Sequence, residues 1–422
     1  MTPLPLQLLP RTATVDTSGR LAVGGCDVLD LAAEHGTPLF VYDEDHLRAR
    51  CREAVEAFGD GATYAAKAFL CRAMAELVHQ EGMAIDVASG GELHVALAAG
   101  VPPERLVLHG NNKSEAELAR ALEVGVGRLV VDSHDELDRI EALVAAGATP
   151  PRVLLRITPG VEAHTHIYVM TGQADSKFGF GLASGEAAAA VARAASSPAV
   201  ELVGLHAHIG SNVFALASFT QAVDVLAGFV APLGLEELNL GGGLGVAYVE
   251  GEEAPTIDEW AQALTKACRQ AGITSRLAVE PGRAIAAAAA VTLYTVGTVK
   301  DLPGLRTYVS VDGGMSDNPR PVLYGSGYEA FLPRATNATR PRAVRVVGKH
   351  CESGDVVVHD ARVPADLAVG DILATPVTGA YGHSMASNYN KVPRPAVVFA
   401  AGGDARLVVR RETLDDLLRL DA

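Results

Sequence analysis

Thr63-Tyr64-Ala65-Ala66-Lys67-Ala68 is a small, apolar segment that contains a single lysine. Its threonine and tyrosine favour strands, and Gly61 and a helix-like run after Phe69 bound it. Strand side chains alternate between two faces, so Lys67 would share a buried face with Thr63. Burial favours the neutral amine, which Schiff-base chemistry requires. The segment therefore predicts a buried strand with a reactive lysine, and the alternative is a lysine that extends from the strand end to water.

This segment belongs to a repeating pattern between residues 38 and 283. Short apolar runs alternate there with alanine-rich amphipathic stretches that carry acidic residues in their first turns. The runs are Leu39–Tyr42, Tyr64–Lys67, Ala84–Val87, Leu106–His109, Leu129–Val131, Val153–Ile157, Leu202–Ile209, Leu238–Leu240 and Leu277–Val279. Strand–helix alternation repeated about eight times predicts a (β/α)8 TIM-type barrel. The sequence contains nine such runs and a barrel wall needs eight strands, so we expect one run to lie outside the wall.

The pattern changes after residue 284. Runs rich in β-branched residues, separated by Gly, Pro and Asp turns, predict strands at Val291–Val296, Thr307–Val311, Ala343–Val347 and Ala396–Phe399. This part predicts a second, mostly antiparallel β-domain. Short strand-like pieces before residue 36 have no partner in a barrel, so we expect them to pair here. The predicted domains are residues 38–283 for the barrel, and residues 1–37 with 284–422 for the β-rich domain.

Composition limits the class of protein. The chain has 422 residues, 49% of them hydrophobic and 20% charged, which predicts two globular domains. A formal charge of -15 disfavours nucleic acid and anionic membranes as partners. The start shows no signal-peptide pattern, and the apolar run Ala284–Val299 is too short to span a bilayer. Five widely spaced cysteines without a C-x-x-C pair indicate the reducing cytoplasm.

Several polar side chains fall at the ends of predicted strands, where barrel enzymes carry their active sites. They are Lys67, Asp86, His109, Arg156, His206, His208, Asn239 and Glu280. His206 and His208 share one strand face, but no third and fourth metal ligands stand out, so we expect no metal. Histidines satisfied in the core are the common case, and a ring stacked on a flat cofactor is the functional one.

Two short motifs directly follow predicted strands. Gly241-Gly242-Gly243-Leu244-Gly245 can bring backbone N–H groups close to a phosphate, although a tight turn explains it equally well. Glu280-Pro281-Gly282-Arg283 places a carboxylate near a guanidinium, as a surface salt bridge also would. Together with Lys67, these motifs fit pyridoxal 5'-phosphate, because a lysine binds this cofactor covalently and a carboxylate keeps its pyridine nitrogen protonated.

Motifs in a fixed order connect most of the chain to a known family. Between about residues 38 and 400, the sequence resembles the alanine-racemase-fold, pyridoxal-phosphate-dependent group IV decarboxylases, and more narrowly the diaminopimelate decarboxylase family. The motifs that carry the resemblance are Tyr64-Ala-Ala-Lys67, His109-Gly-Asn-Asn-Lys-Ser114, Thr171–Gly179, His208-Ile-Gly-Ser-Asn212, Gly241–Gly245, Glu280-Pro-Gly-Arg283, Cys351-Glu-Ser-Gly-Asp355, Gly379-Ala-Tyr381 and Ser384–Asn390.

The resemblance implies a role for each matching position. Lys67 would hold the cofactor, His208 would stack on its ring and Glu280 would pair with the pyridine nitrogen. Other implied cofactor contacts, most of them near the phosphate, are Asp86, Ser211, Gly241, Gly242, Gly243, Arg283 and Tyr381. The implied substrate contacts are Arg283, Arg320, Tyr324, Glu352 and Tyr381.

Within the substrate contacts, the resemblance separates three tasks. Arg320 and Tyr324 would grip the substrate carboxylate that is retained. Glu352 would bind the distal ammonium, and Cys351 would be the acid that reprotonates the substrate carbon. In this family the Cys-Glu segment enters the active site from the partner subunit, so the resemblance implies a homodimer with shared sites.

The implied reaction is decarboxylation of meso-2,6-diaminopimelate to L-lysine and CO2. A decarboxylase of the same fold that acts on ornithine, arginine or carboxynorspermidine is the alternative. A racemase is disfavoured, because racemases of similar fold pair the pyridine nitrogen with arginine where Glu280 stands. A non-catalytic homologue is disfavoured because such proteins lose the lysine or the cysteine.

Overall fold

The structure is a computed structural model that describes residues 3–160 and 175–422, and it divides into two compact units. The β-unit comprises Met1–Ala49, Val246–Glu253 and Ile285–Ala422, and the barrel unit comprises Arg50–Gly245 and Ala254–Ala284. The predicted boundary at residue 38 therefore differs from the structure by about one strand and part of a helix. The excursion Val246–Glu253, which no feature of the sequence predicted, also belongs to the β-unit.

The N-terminal strands of the β-unit pair with one another. β1 (Thr14–Val15), β2 (Leu21–Val23) and β3 (Cys26–Asp27) form a separate three-stranded sheet. The prediction that they would pair with later strands of the second domain is wrong, since tight turns join them to each other. Helix α1 (Val28–His35) follows, capped by the Asp27 carboxylate. Strand β4 (Leu39–Asp43) is the run that lies outside the barrel wall.

The barrel unit contains a closed wall of eight parallel strands. In chain order its strands are β5 (Thr63–Ala65), β6 (Ala84–Val87), β7 (Leu106–Leu108), β8 (Arg128–Val131), β9 (Arg152–Thr158), a short β10 (Phe180–Gly181), β11 (Glu201–His206), β12 (Glu237–Asn239) and β13 (Arg276–Ala278). Within residues 3–160 and 175–422, strand β10 pairs only with β9, and the other eight strands form the wall. The Val279 N–H donates to Gly61 O at 2.9 Å and the Thr63 N–H donates to Val279 O at 3.0 Å, which closes the circle. The predicted barrel is confirmed.

Helices follow most of the barrel strands. Helix α2 (Glu44–Phe58) follows β4, and the helices that follow strands of the barrel unit are α3 (Arg72–Gln80), α4 (Gly90–Ala98), α5 (Glu115–Val124), α6 (His134–Ala145), α7 (Glu186–Ser196), α8 (Leu216–Val230) and α9 (Ile257–Gln270). Several begin at side-chain caps, and Ser114 and Thr256 each form a complete capping box with a glutamate. Residues 216–233 are long and apolar enough to cross a membrane, but core helices pass the same test, and α8 buries Phe219, Val223 and Leu226.

The second sheet of the β-unit is mostly antiparallel, as predicted. After α10 (Arg283–Ala286), its strands are β14 (Ala290–Leu302), β15 (Arg306–Val311), β16 (Arg342–Val347), β17 (Val356–Val363), β18 (Ile372–Pro376), β19 (Ala396–Ala401) and β20 (Asp404–Val409), with α11 (Arg320–Tyr324) between β15 and β16. The order is β17-β16-β15-β14-β4-β19-β20, and β18 also pairs with β14. Strand β4 is therefore central, with β14 antiparallel on one side and β19 parallel on the other.

Candidate active site

Lys67 stands just beyond the end of a barrel strand. Strand β5 ends at Ala65, and Ala66–Ala68 form a single 3-10 turn in which the lysine side chain is exposed. The prediction that a buried strand continues through Lys67 is therefore wrong. The last paired position of β5 is Ala65, opposite Asp86 of β6, so the ladder stops before the lysine and its ammonium avoids the barrel interior. This places the amine at the strand ends where barrel active sites lie.

Glu280 is the centre of a buried polar cluster at the same strand ends. Its carboxylate is only 6% exposed. Oε1 lies 2.9 Å from His109 Nε2 and accepts a 2.8 Å hydrogen bond from Asn239 Nδ2. Oε2 lies 3.2 Å from His206 Nε2. Three different strands therefore fix both oxygens of one carboxylate.

The cluster keeps Glu280 anionic. Burial would raise the pKa of this carboxyl, but the positive charge of His109 and the hydrogen bonds of the two histidines outweigh burial and hold the pKa well below its ordinary value. Burial lowers the pKa of His206 to about 4, so its ring is neutral near pH 7. Burial also disfavours the charged form of His109, but Asp86 and Glu280 reverse the effect and raise its pKa. A carboxylate fixed in this way suits a protonated ring nitrogen.

Asp86 joins the same cluster from β6. Its Oδ2 lies 4.0 Å from His109 Nε2, and the side chain is buried. Burial raises the pKa of Asp86 to about 6, and the positive charges of His109 and Lys67 oppose the rise. The predicted cofactor contact therefore lies near Lys67 and near the Glu280 cluster, as strand-end placement required.

His208 and the glycine run form the other side of the site. The Gly242 N–H donates to His208 Nδ1 at 3.2 Å, and the Gly241 N–H donates to the Asn239 side-chain oxygen at 2.8 Å. Burial lowers the pKa of His208 well below its ordinary value, and the charge of Lys67 adds to the effect, so the ring is neutral. Gly241 has φ +67°, and a Cβ there would lie 2.6 Å from His208 Nδ1. Glycine is required so that the chain can turn beneath the ring.

Arg283 supplies the cation expected near a phosphate. It is buried, and its Nη2 donates to Ser211 Oγ at 3.0 Å. Gly243 lies on the adjoining turn, where its carbonyl accepts from the Val213 N–H at 2.8 Å. The Gly241 and Gly242 amides already bond to side chains, so an anion would find Arg283, Ser211 and the turn at Gly243 ready to receive it. The predicted role of the first two amides stays a prediction.

A metal could also find ligands in the cluster. The nearest ligand atoms of His109, His206 and Glu280 lie within 4.8 Å of one another. His206 and His208, the pair that the sequence offered as metal ligands, have different partners in the structure: His206 contacts Glu280 and His208 contacts Gly242. The rings of His109 and His206 instead lie against the two carboxylate oxygens of Glu280.

The donor set fits pyridoxal 5'-phosphate. An exposed amine at Lys67, a neutral ring at His208, an anionic carboxylate at Glu280 and a cation at Arg283 lie on one barrel unit. Each of these groups has the charge that the corresponding part of the cofactor requires.

A buried ion pair supports the loop that carries His109. The Lys113 ammonium donates to Glu136 Oε1 at 2.7 Å, to Gly110 O at 2.8 Å and to Val130 O at 2.6 Å. The other oxygen of Glu136 accepts from the backbone N–H of Asp132. This pair joins the strand ends of β7 and β8. The sequence did not predict this pair, because Lys113 stood only within a motif and no pattern connects it to Glu136 in the first turn of α6.

Asp132 and Arg156 occupy the neighbouring strand ends. Arg156 Nη1 lies 3.8 Å from Asp132 Oδ1, and its guanidinium stacks 4.2 Å from the centroid of the Phe178 ring. The Gly179 N–H donates to Asp132 Oδ2 at 2.9 Å. These contacts fix the end of the motif 171–179. Its first part, residues 171–174, lies outside the described residues.

Arg320 is enclosed by aromatic rings within the β-unit. It is 3% exposed, its guanidinium stacks 4.1 Å from the centroid of the Tyr248 ring, and Nη1 donates to the Tyr328 hydroxyl. Nη2 donates to Ser326 Oγ at 3.1 Å. Tyr248 and Tyr328 were missed at the sequence level, since one lies in the excursion Val246–Glu253 and the other follows a glycine-rich loop. Tyr324, at the end of α11, is half-buried.

The remaining predicted residues also lie in the β-unit. Cys351 and Glu352 are exposed, and Tyr381 is half-buried with a left-handed backbone at φ +60°. A non-glycine residue rarely adopts this conformation, and such strain concentrates at functional sites.

Comparisons with known proteins agree with this geometry. Residues 44–287 match the family model described as "Pyridoxal-dependent decarboxylase, pyridoxal binding domain". The chain is 48% identical to diaminopimelate decarboxylase of Mycobacterium tuberculosis, with 98% of this chain and 97% of that protein covered. It is 44% identical to the Bacillus subtilis protein of the same name, with 97% of each covered.

A solved structure gives the same result. The crystal structure of diaminopimelate decarboxylase from "m. jannaschii" in co-complex with L-lysine matches with a TM-score of 0.90 at 32% identity, and the match covers 98% of each chain. The fold and the site thus define a pyridoxal-phosphate-dependent decarboxylase. More narrowly, the chain belongs to the diaminopimelate decarboxylase family.

Proposed function

We propose that this chain removes CO2 from meso-2,6-diaminopimelate and releases L-lysine. Similarity to diaminopimelate decarboxylases along nearly the whole chain carries the proposal. The barrel unit supports it, because Lys67, His208, Glu280 and Arg283 have the charges that pyridoxal 5'-phosphate requires.

Different residues of the barrel unit bind different parts of the cofactor in this proposal. Bound pyridoxal phosphate supplies an electron sink for the bond that breaks. Lys67 holds it through the ε-amine, and Arg283 with Ser211 binds the phosphate end. The fixed carboxylate of Glu280 keeps a proton on the pyridine nitrogen, because it remains anionic and cannot rotate away from His109.

Residues of the β-unit select the substrate in this proposal. Arg320 offers a planar guanidinium, which suits the retained carboxylate, and Tyr248 and Tyr328 hold that guanidinium in one orientation. The carboxylate that leaves must lie away from such cations. Glu352 accepts hydrogen bonds from the distal ammonium. After CO2 departs, the Cys351 thiol gives its proton to the carbon that carried the carboxylate.

A substrate panel tests the proposal directly. Purified, cofactor-loaded protein is offered meso-diaminopimelate, L-lysine, L-ornithine and L-arginine, and CO2 and the amine product are measured for each. We expect lysine from meso-diaminopimelate and no turnover of the other three. Turnover of ornithine or arginine instead would retain the cofactor and Lys67 but overturn the substrate. Absence of turnover with bound cofactor would favour a racemase or a regulatory protein.

We also propose a homodimer that shares its active sites, located in the cytoplasm. The free thiols of all five cysteines support a reducing compartment. Shared sites predict that Lys67→Ala and Cys351→Ala proteins, inactive alone, regain activity when co-expressed. Random pairing leaves one complete site in half of the dimers, so the mixture should reach about a quarter of wild-type activity.

The matched control for this mixture uses two barrel residues. Lys67→Ala co-expressed with Glu280→Gln should show no recovery, because every site then contains one defective barrel. Recovery in this control, or none in the first mixture when heterodimers are present, would contradict shared sites.

A further inference from the structure

The segment Ser384–Lys391 contains an unusual backbone beside Glu352. Asn390 and Lys391 have φ values of +51° and +56° in consecutive positions. Non-glycine residues adopt this region at an energetic cost, so surrounding contacts must hold the segment in place. The roles proposed above for Arg320, Tyr324 and Glu352 do not explain the left-handed backbone at Asn390 and Lys391.

The strained segment contacts three consecutive residues of the Cys351-Glu352 loop. The Tyr389 hydroxyl donates a short hydrogen bond to Glu352 Oε1. Asn390 Oδ1 accepts from the Cys351 N–H at 3.2 Å and lies 3.2 Å from His350 Nδ1. The Tyr389 ring lies 5.4 Å from the His350 ring, measured between centroids. Tyr389 and Asn390, one on each side of the start of the left-handed backbone, therefore contact the same short loop.

A buried network anchors the loop from behind. His350 Nε2 lies 2.8 Å from Ser316 Oγ, and the His350 N–H donates to Asp355 Oδ2 at 2.8 Å. Asp355 Oδ1 accepts from the Met315 N–H at 2.7 Å, and the Ser387 N–H donates to Ser316 O at 2.9 Å. His350 and Asp355 are buried. The backbone around Glu352 is therefore fixed, while the Glu352 side chain itself is exposed and depends on Tyr389.

An exposed glutamate needs such a contact if it is to select a substrate. Without a partner, its side chain samples many rotamers, and ordering it on binding has an entropic cost that weakens the affinity for the ligand. The Tyr389 bond uses Oε1 and orients the carboxylate before substrate arrives. The bond leaves Oε2 in a fixed position, where it can accept from an ammonium.

We propose that Tyr389 is a positioning residue that determines specificity for the distal ammonium by holding the Glu352 carboxylate. This inference rests on the proposed diamino-acid substrate. Tyr389 acts through Glu352 and supplies no proton to the reaction. It therefore affects the binding of ligands that carry the ammonium, and it leaves the loss of CO2 itself unchanged.

The test is Tyr389→Phe, which keeps the ring beside His350 and removes only the hydroxyl. Holoenzyme is titrated calorimetrically with L-lysine and with L-norleucine, which has the same carbon chain but no distal amine. We expect the Kd for lysine to rise about 10-fold, because a hydrogen bond to a charged group is lost, and the Kd for norleucine to stay within about twofold. The KM for meso-diaminopimelate should rise in parallel, with kcat within about twofold.

Two further variants show whether Tyr389 acts through Glu352. In a Glu352→Gln background, Tyr389→Phe should add less than about a twofold change, since the carboxylate it orients is absent. Tyr308→Phe removes the hydroxyl of another partly exposed tyrosine of the β-unit and should leave the Kd for lysine and the Kd for norleucine unchanged. Equal losses for lysine and norleucine, or an unchanged Kd for lysine, would overturn the inference.

The same measurements on the wild-type protein distinguish a wrong substrate proposal from a wrong role for Tyr389. If wild-type protein did not distinguish lysine from norleucine and did not turn over meso-diaminopimelate, both the substrate and the inference would be wrong. If wild-type protein does distinguish them and Tyr389→Phe does so equally well, only the role of Tyr389 is excluded.

Discussion

Lys67→Ala is expected to abolish decarboxylation and covalent retention of the cofactor. The lysine side chain is exposed in a 3-10 turn at the end of β5, and it is the residue that would bond to pyridoxal phosphate. Without its amine, kcat should fall by at least about 10,000-fold, the scale seen when a nucleophile is removed from a catalytic unit. The purified variant should also lack the near-ultraviolet and violet absorbance of the bound cofactor.

Two companion variants separate the amine chemistry from charge and from stability. Lys67→Arg keeps the positive charge that acts on Asp86 and His208 but cannot bond covalently, so it should be as inactive as alanine. Lys266→Ala removes an exposed lysine from helix α9 of the same unit and should leave both absorbance and turnover unchanged. Cofactor absorbance at wild-type intensity in Lys67→Ala would exclude this lysine as the attachment point.

The second large effect is expected at Glu280. Glu280→Gln keeps the shape of the side chain and can still accept one of its hydrogen bonds, but it removes the negative charge. The pyridine nitrogen then loses the group that keeps it protonated, so kcat should fall about 100- to 1,000-fold, as for other pre-organised electrostatic groups. Cofactor binding should persist, because Lys67 and Arg283 are unchanged. Turnover and cofactor absorbance of the same preparation measure the two effects separately.

The barrel offers a matched carboxylate as the control. Glu237 is also buried, but it stands at the beginning of β12, where it pairs with Arg276. Barrel residues at that end serve stability. Glu237→Gln should therefore lower the melting temperature and leave kcat of the folded protein unchanged. A kcat for Glu280→Gln within about tenfold of wild type would exclude the electrostatic role that the cluster indicates.

Much of the catalytic half of the site could be predicted because it depends on local order along the chain. Lys67, His208 and Glu280 lie at or just beyond the end of a short apolar run and Asp86 lies near the end of β6, and the ends of parallel barrel strands meet on one side. A short apolar run thus predicts a barrel strand, and the polar residue at its end is predicted to lie on the active-site side of the barrel. The error at Lys67 concerned one turn, since apolar alanines continue past the end of the ladder.

Contacts between distant loops could not be predicted in this way. Tyr248 and Tyr328 meet around Arg320, and Tyr389 reaches Glu352, without any periodic pattern that links them. The two rings of His109 and His206 also converge on one carboxylate only because the barrel closes. For the same reason, no local signal placed β4 outside the barrel: its first four residues are as apolar as a barrel strand, and only long-range pairing distinguishes it from one.

The central position of β4 has a consequence for how the protein is made. Both neighbours of this strand, β14 and β19, are translated long after it, and β19 begins only at Ala396. The barrel unit is complete on the ribosome before either neighbour emerges. During that interval β4 remains an apolar segment with two unpaired edges, the kind of segment that chaperones bind and that aggregates when unprotected. The sheet of the β-unit therefore closes last, after nearly the whole chain has been synthesised.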